Sequence, residues 1–313
     1  MMNKYFVFLL ILSWQLASAQ TEKLFFYMEK DSLLGVKNEN GKIIISPKPS
    51  WNSGIYWDNR EIKSEIFNID FKDNLFGYYD RKGEFLFQTF ITSEGPDGFQ
   101  EGYIRYREND KSGLYSDKGN KVTLAKYDWI SPINFGFALF CNGCYFDTSK
   151  DEEHAPLVGG TWGFVSKNGL EIIPTDKRNH PKDFETKDHQ FIPYQFQYND
   201  KEKQILDFFE KRKDQITQIN GLNCNEKTLY FEIFHKPTEY DNFYRIKTFE
   251  LCNSDLNGAD ENYDDFKNFK VSADGKNYYV LYIDLVNYKD YSEYVERKIS
   301  VDTWIKQNLN NLK

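Results

Sequence analysis

A spacing of six residues between two glycines occurs four times in the first half of the chain, and it constrains the fold more strongly than any other feature. The four pairs are Gly35 and Gly41, Gly77 and Gly83, Gly113 and Gly119, and Gly163 and Gly169. Each pair encloses a polar-ended stretch and is followed by an apolar run, such as residues 43–45. The second glycine can supply the positive φ of a tight turn, so the spacing predicts four equivalent hairpins.

A second element recurs between the hairpins, where a large apolar residue stands three positions before a glycine. The three examples are Trp51 with Gly54, Phe99 with Gly102, and Ile133 with Gly136. Each unit therefore contributes about three short strands. A single hairpin cannot bury its apolar face, so successive units must stack, either as an open array or closed like a propeller.

The most complete copy reads Trp162-Gly163-Phe164-Val165 with Asn168-Gly169, and Phe99-Gln100-Glu101-Gly102 supplies the later element. Other copies hold Leu34, Phe76 and Ser112 at the tryptophan position. Over residues 34–174 this pattern resembles the WG-repeat family. The resemblance implies a β-rich architecture and binding at the cell surface or envelope, and it brings no catalytic motif.

The first residues have the pattern expected of an export signal, because Lys4 precedes the apolar run 5–12 and Ala17-Ser18-Ala19 follows as a candidate cleavage site. We therefore predict a signal peptide over 1–19, a repeat domain over 20–175 and an α+β domain over 176–313. The fold class is mainly β. The mature protein is expected in the periplasm, at the cell surface or outside the cell.

The second half shows a helix start, where Asn199 and Glu202 form a capping-box pattern after the polar connection 175–199. Strand-like runs follow at 228–234, 243–251 and 278–286, and a last helix over 301–312 has Ser300 as its cap.

Exposed aromatic rings are the expected ligand-binding groups, since 18% of the chain is aromatic. We expect Trp57, in an insert, and Trp129 to bind a ligand, and we expect Trp51 and Trp162 to face the repeat core. The partner is a protein or a cell-envelope glycan. A net charge of -8 argues against nucleic acid, and no run after the signal is apolar enough to cross a membrane.

One acidic segment resembles an EF-hand loop with altered ligands. Its candidate calcium ligands are Asn253, Asp255, Asn257, Glu261 and Asp264, with the Ala259 carbonyl. The alternative is an ordinary acidic turn, and no other cofactor is indicated.

Four cysteines are present, and in an exported chain all could be oxidised. A hairpin centred at Thr238 would place Cys224 opposite Cys252, which predicts a disulfide between them. The Cys141-x-x-Cys144 pair lacks the strand-to-helix context of a redox motif.

The sequence carries no H-E-x-x-H, no G-x-S-x-G and no phosphate-binding glycine loop. We therefore predict a non-catalytic binding or scaffold protein. The alternative is a hydrolase with a pair of carboxylates in the C-terminal domain. A pocket with converging Asp or Glu in the second half would favour the enzyme, and a broad aromatic surface across the repeats would favour binding.

Overall fold

The computed structural model describes residues 22–29, 33–51, 59–92, 95–149, 155–220, 229–250, 268–285 and 294–311. Within these ranges the protein is mainly β, with antiparallel sheets throughout and helices in the second half. The strands of the first half are β1 (Leu24–Glu29), β2 (Leu33–Asn38), β3 (Ile43–Pro49), β4 (Glu61–Ile62), β5 (Ile66–Phe71), β6 (Asn74–Asp80), β7 (Phe85–Gln88), β8 (Ile91–Thr92), β9 (Gly95–Pro96), β10 (Tyr103–Glu108), β11 (Lys111–Ser116), β12 (Lys121–Tyr127), β13 (Trp129–Ile130), β14 (Phe137–Phe146), β15 (Leu157–Ser166) and β16 (Glu171–Ile172). The second half contains β17 (Phe184–Glu185), β18 (Phe191–Ile192), α1 (Asp200–Glu210), α2 (Lys213–Asn220), β19 (Leu229–His235), β20 (Phe243–Glu250), β21 (Asn268–Ser272), β22 (Tyr278–Leu285), β23 (Tyr294–Ser300) and α3 (Val301–Asn311).

The described part of the first half contains four three-stranded antiparallel units, each with its second strand in the centre, and β4 and β13 add a fourth strand to the first and last sheets. Units one to four are β1–β3, β5–β7, β10–β12 and β14–β16. The register between the first and second strands is the same in all four units. In each unit, the residue just before the turn pairs with the first residue of the first strand. The four pairs are Leu24 with Asn38, Ile66 with Asp80, Tyr103 with Ser116, and Phe137 with Ser166. The predicted repeat array is therefore present.

The four turn glycines share one geometry, as the sequence predicts. At Gly41, Gly83, Gly119 and Gly169 the φ angles are +82°, +84°, +77° and +79°. Each glycine N–H donates to the carbonyl three residues earlier at 2.9 to 3.0 Å. The same earlier residue also uses its side-chain oxygen, which accepts a hydrogen bond from the N–H of the residue that follows the glycine. In unit two, the Glu84 N–H donates to Asp80 Oδ1 at 2.8 Å. This is the three-residue hairpin loop that closes on a left-handed glycine.

The turns of units two, three and four each pack on the preceding unit at an equivalent place. The contacts join Gly83 to Ile44, Gly119 to Leu86, and Gly169 to Val122. A Cβ added to each glycine would lie 2.8, 3.4 and 2.3 Å from these neighbours in that order. Every neighbour follows the turn glycine of its own unit by three positions, so one stacking arrangement repeats along the array.

A separate apolar core fills each junction between units. The first junction contains Leu34 and Val36 with Phe67, Ile69 and Phe71; the second contains Ile66 and Phe87 with Ile104, Tyr106 and Tyr115; the third contains Leu114 and Tyr127 with Ile130, Phe140 and Val165. Side chains alternate between the two faces of a strand. Each unit therefore has an inward face, toward the preceding unit, and an outward face, toward the following one.

The hairpin of β17 and β18 covers part of the outward face of unit four, so the described array ends on this hairpin rather than closing on unit one. We call residues 184–192 the cap. The ring centres of Phe184 and Phe137 are 5.6 Å apart. Ile192 and Phe196 join the same core as Phe249 from the second half. The segment predicted as a polar connection thus packs against both halves of the protein.

In the second half, strands β19 to β23 form one antiparallel sheet in sequence order, and the three helices pack against it. Asn199 caps α1 through the predicted capping box, and the Thr303 N–H donates to Ser300 Oγ at 3.2 Å at the start of α3. Both predicted helix starts are confirmed. The first helical run divides at residues 211–212 into α1 and α2. None of the described helices is both long enough and apolar enough to cross a membrane.

The predicted pairing of β19 with β20 is confirmed, but its register differs from the expected one. Tyr230 pairs with Phe249, so the centre of the hairpin lies between Glu239 and Tyr240 rather than at Thr238. Cys224 and Cys252 lie outside the described residues, and the disulfide between them stays a prediction.

The second half also contacts the array along the row of turns. The contacts are Arg81 over the Tyr240 ring at 3.9 Å, Asp117 Oδ2 with His235 Nδ1 at 3.0 Å, and Lys167 Nζ over the Phe196 ring at 4.3 Å. In units two, three and four, the first residue of the turn loop is Arg81, Asp117 and Lys167, respectively. The repeat therefore presents equivalent positions to the second half.

Candidate functional site

The outward face of unit four is only partly covered. Trp129, Cys141 and Trp162 are neighbours across β13, β14 and β15, so their side chains share this face. The cap packs on the part of the face that holds Phe137 and Phe164. The remaining part is the floor of an open groove of about 1170 Å³.

The two tryptophans of the groove hold each other in place. Their ring centres are 5.9 Å apart and their planes meet at 62°, an edge-to-face arrangement. The Trp162 indole N–H donates to the Gly159 carbonyl at 2.8 Å, which fixes the ring while 40% of the residue stays exposed. Edge-to-face rings enclose a notch rather than a flat platform.

Other apolar side chains extend this surface. Ile173 is 85% exposed and Phe146 is 57% exposed, and both line the groove together with Leu139, Pro156 and Pro174. A contiguous exposed apolar surface on a folded domain marks an interaction site.

The opposite wall is polar and comes from the loop of the cap, residues 185–190. Glu185 lies 3.0 Å from Arg178 Nη2 and 3.0 Å from His189 Nδ1. The hydrogen bond with His189, assisted by Arg178, holds the pKa of the Glu185 carboxyl below its ordinary value. The groove therefore has an apolar floor and one wall with an ionised carboxylate.

Beyond the groove, β14 and β15 continue as a two-stranded ribbon. In the described part of the chain β13 pairs only with Phe140 and Cys141, and β16 only with Phe164 and Val165, so the outer edges of the ribbon carry no further strand. A disulfide joins Cys141 to Cys144, with Cα atoms 6.0 Å apart. It ties the base of the ribbon beside the tryptophan pair.

The structure places Trp129, which we expected to bind a ligand, in this groove. Trp57, the other expected ligand-binding residue, lies outside the described residues. The expectation that Trp162 faces the repeat core is wrong. Of the equivalent residues, Leu34 and Ser112 are 0% exposed because the next unit covers them, and Phe76 is partly buried. Trp162 belongs to the last unit, where the cap covers only half of the face.

The expectation that Trp51 is a core residue is also wrong, since it is 66% exposed. Ser50 bridges to Phe71 and is buried, so strand alternation turns Trp51 to the outside. There the Lys72 ammonium lies 4.8 Å from the centre of its ring.

No group of three or more His, Cys, Asp or Glu side chains able to hold a metal ion occurs among the described residues. The candidate calcium ligands from Asn253 to Asp264 lie outside those residues, and calcium binding there stays a prediction.

Two buried carboxylates of the second half have structural partners. Glu232 is fully buried and accepts hydrogen bonds from Lys182 Nζ at 2.7 Å, Tyr194 Oη at 2.5 Å and Tyr198 Oη at 2.6 Å. Burial and the neighbouring Glu232 charge raise the pKa of both tyrosines, which stay neutral donors. Glu202 closes the capping box of α1.

A smaller groove of about 430 Å³ lies between α2 and α3. Among the described residues that line it, Asp302 alone is acidic, and it pairs with Arg212 at 2.6 Å. The aromatic groove on unit four is therefore the better candidate site.

No family model matches this chain, and no curated protein or solved structure matches it either.

Proposed function

We propose that this chain is an exported, non-catalytic binding protein that holds an extended segment of a partner protein in the groove of unit four. One observation carries the proposal. The outward face that is buried by the next unit at Leu34 and Ser112 is left half open at Trp162, where two locked indole rings line the gap.

Three features support a protein segment over a glycan. The tryptophan planes meet at 62° and form a notch for an apolar side chain, whereas stacking on sugar rings uses a flat platform. The floor includes the aliphatic side chains of Leu139 and Ile173. The free edges of the β14–β15 ribbon offer backbone groups for strand addition, a common mode of peptide recognition.

Export and the WG-repeat assignment are part of the same proposal. The Cys141–Cys144 disulfide supports export, because disulfides persist in oxidising compartments. The shared register and turn geometry of the four units support a repeat of the WG type.

Selection from a phage-displayed random peptide library on the mature protein tests the proposal. We expect enriched peptides with aromatic or aliphatic side chains. Trp162→Ala should weaken binding of a selected peptide about tenfold or more, because a buried aromatic anchor is a typical hot spot. Trp51→Ala is the matched control, since Trp51 is also exposed and makes no contribution to the groove.

Equal losses in the two variants would place peptide binding elsewhere and contradict the proposal. A mature protein that enriches no peptide but binds cell-envelope polysaccharide through Trp162 would instead establish the glycan alternative.

A further inference from the structure

A second cavity, of about 340 Å³, lies where the array meets the second half. Its walls come from the turn of unit three, the turn of unit four and the end of β19. The acidic and basic side chains that line it are Glu101, Asp117, Lys118, Lys167, His235 and Lys236. The cavity is separate from the aromatic groove and shares no lining residue with it.

Both acidic residues of this cavity are already engaged. The buried Glu101 carboxylate accepts the N–H groups of Phe135 at 2.7 Å and Gly136 at 2.9 Å, and Lys247 Nζ lies 3.5 Å away. Asp117 Oδ2 is 3.0 Å from His235 Nδ1.

The cationic residues are not all engaged. Lys236 pairs with Glu202 at 2.7 Å. Lys167 Nζ lies 4.3 Å from the centre of the Phe196 ring and has no hydrogen-bond acceptor among the described residues. Lys118, on the same wall, lies near enough to Glu65 for its charge to act on that carboxyl, but no hydrogen bond joins the two among the described residues. Among the described residues, the two ammonium groups of Lys118 and Lys167 therefore lie on the cavity wall without a hydrogen-bonded acceptor.

The charge of Lys167 is only partly compensated. Burial lowers the pKa of its ammonium, although the charges of Glu101, Glu232 and Glu202 act in the opposite direction. A partly buried charge is stable when it is paired and hydrogen-bonded, and the ring of Phe196 supplies only a cation–π contact.

We propose that this cavity is a binding site for a small anion, a phosphate or a carboxylate, held by the ammonium groups of Lys167 and Lys118. The site joins the turns of units three and four to the second half, so an occupant would link the two halves. The proposal does not depend on the function of the aromatic groove.

Calorimetric titration of the full mature protein with inorganic phosphate, and separately with succinate, tests the site. We expect saturable binding of at least one of the two, and the pair of titrations distinguishes phosphate from carboxylate. Lys167→Gln should weaken that binding about tenfold or more, because it removes a charged hydrogen-bond donor. Lys177→Gln is the matched control, because Lys177 is exposed and does not line the cavity.

Lys118→Gln gives a second test that does not disturb the interior, since Lys118 is an exposed turn residue. It should also weaken binding, and the anion should raise the melting temperature of the wild type but not of Lys167→Gln. Absence of saturable binding of both anions to the wild type overturns the proposal. Binding that is equally strong in Lys167→Gln and Lys177→Gln overturns it as well.

Discussion

Asp183 shows how a single side chain can organise a loop. Its Oδ2 accepts the N–H groups of Asn179 at 2.7 Å and His180 at 2.8 Å, and its Oδ1 accepts that of Tyr194 at 2.9 Å. Burial alone would raise the pKa of this carboxyl, but the three donors together outweigh it, and the pKa lies below its ordinary value. The ionised form therefore joins the two chain segments that flank the cap.

This arrangement predicts a pH-dependent contribution to stability. Because the folded pKa is depressed, the contribution is complete above the ordinary Asp pKa of about 3.9 and is lost as the pH falls through the folded value. Asp183→Asn should lower the free energy of unfolding by about 2 kcal/mol at neutral pH. The difference from wild type should shrink in urea titrations as the pH falls below the ordinary Asp pKa of about 3.9. The exposed Asp188→Asn is the control, and a difference that is constant with pH would contradict the account.

The turn glycines allow the contact between units to be measured at one residue. Gly41 and Gly169 have nearly the same φ, but a Cβ meets nothing within 4 Å at Gly41 and the Val122 carbonyl at 2.3 Å at Gly169. Gly41→Ala should cost about 1 kcal/mol for the left-handed backbone. Gly169→Ala should cost about 1 to 3 kcal/mol more, because the added methyl forces the units apart. Equal losses in urea unfolding would contradict the stacking of unit four on unit three.

At the scale of elements, the sequence predicted features that depend on local residues better than features that depend on tertiary contacts. The glycine spacing identified all four turns, because a left-handed residue is needed at each. Asn199 and Ser300 identified two helix starts, because caps act within one turn. Strand β23 was missed, since its sequence is largely charged and the strand pairs only with β22 among the described residues. The exposure of Trp162 was missed too, because it depends on how the cap packs against the last unit.

The N-cap residue of α1, Asn199, provides a test at this scale. Asn199 Oδ1 accepts the Glu202 N–H at 2.9 Å, and the Glu202 carboxylate accepts the Asn199 N–H at 3.1 Å. Asn199→Ala should lower the free energy of unfolding by about 1 kcal/mol, and Asn199→Asp should restore most of it. Urea titration measures the free energy of unfolding of both variants. An unchanged free energy in Asn199→Ala would show that α1 does not depend on its N-cap residue.

At the scale of the whole molecule, one aromatic core joins the array to the second half. Phe249 from β20 is buried, and its ring centre lies 5.1 Å from that of Phe135, just before β14 of unit four. Ile192 and Phe196 complete this core between the two halves. The two halves should therefore unfold together rather than as independent domains.

Hydrogen–deuterium exchange can detect that coupling. Phe249→Ala leaves a cavity in the shared core and should cost about 3 to 5 kcal/mol. Deuterium uptake should rise in β14 and β15 as well as in β19 and β20, because both sets of strands lose the same support. Phe85→Ala, at a half-exposed position, is the control. An increase confined to β19 and β20 would contradict the shared core.

The central claim is that the half-covered face of unit four binds a partner segment, and the indole signals of the tryptophans test it most directly. The indole N–H resonances can be followed by ¹⁵N nuclear magnetic resonance during titration with a peptide selected on the mature protein, after assignment through single Trp→Phe variants. We predict that the signals of Trp129 and Trp162 shift, while those of the exposed Trp51 and the fully buried Trp304 do not. Unchanged signals from Trp129 and Trp162 at saturation, or an equal shift of Trp51, would contradict the claim.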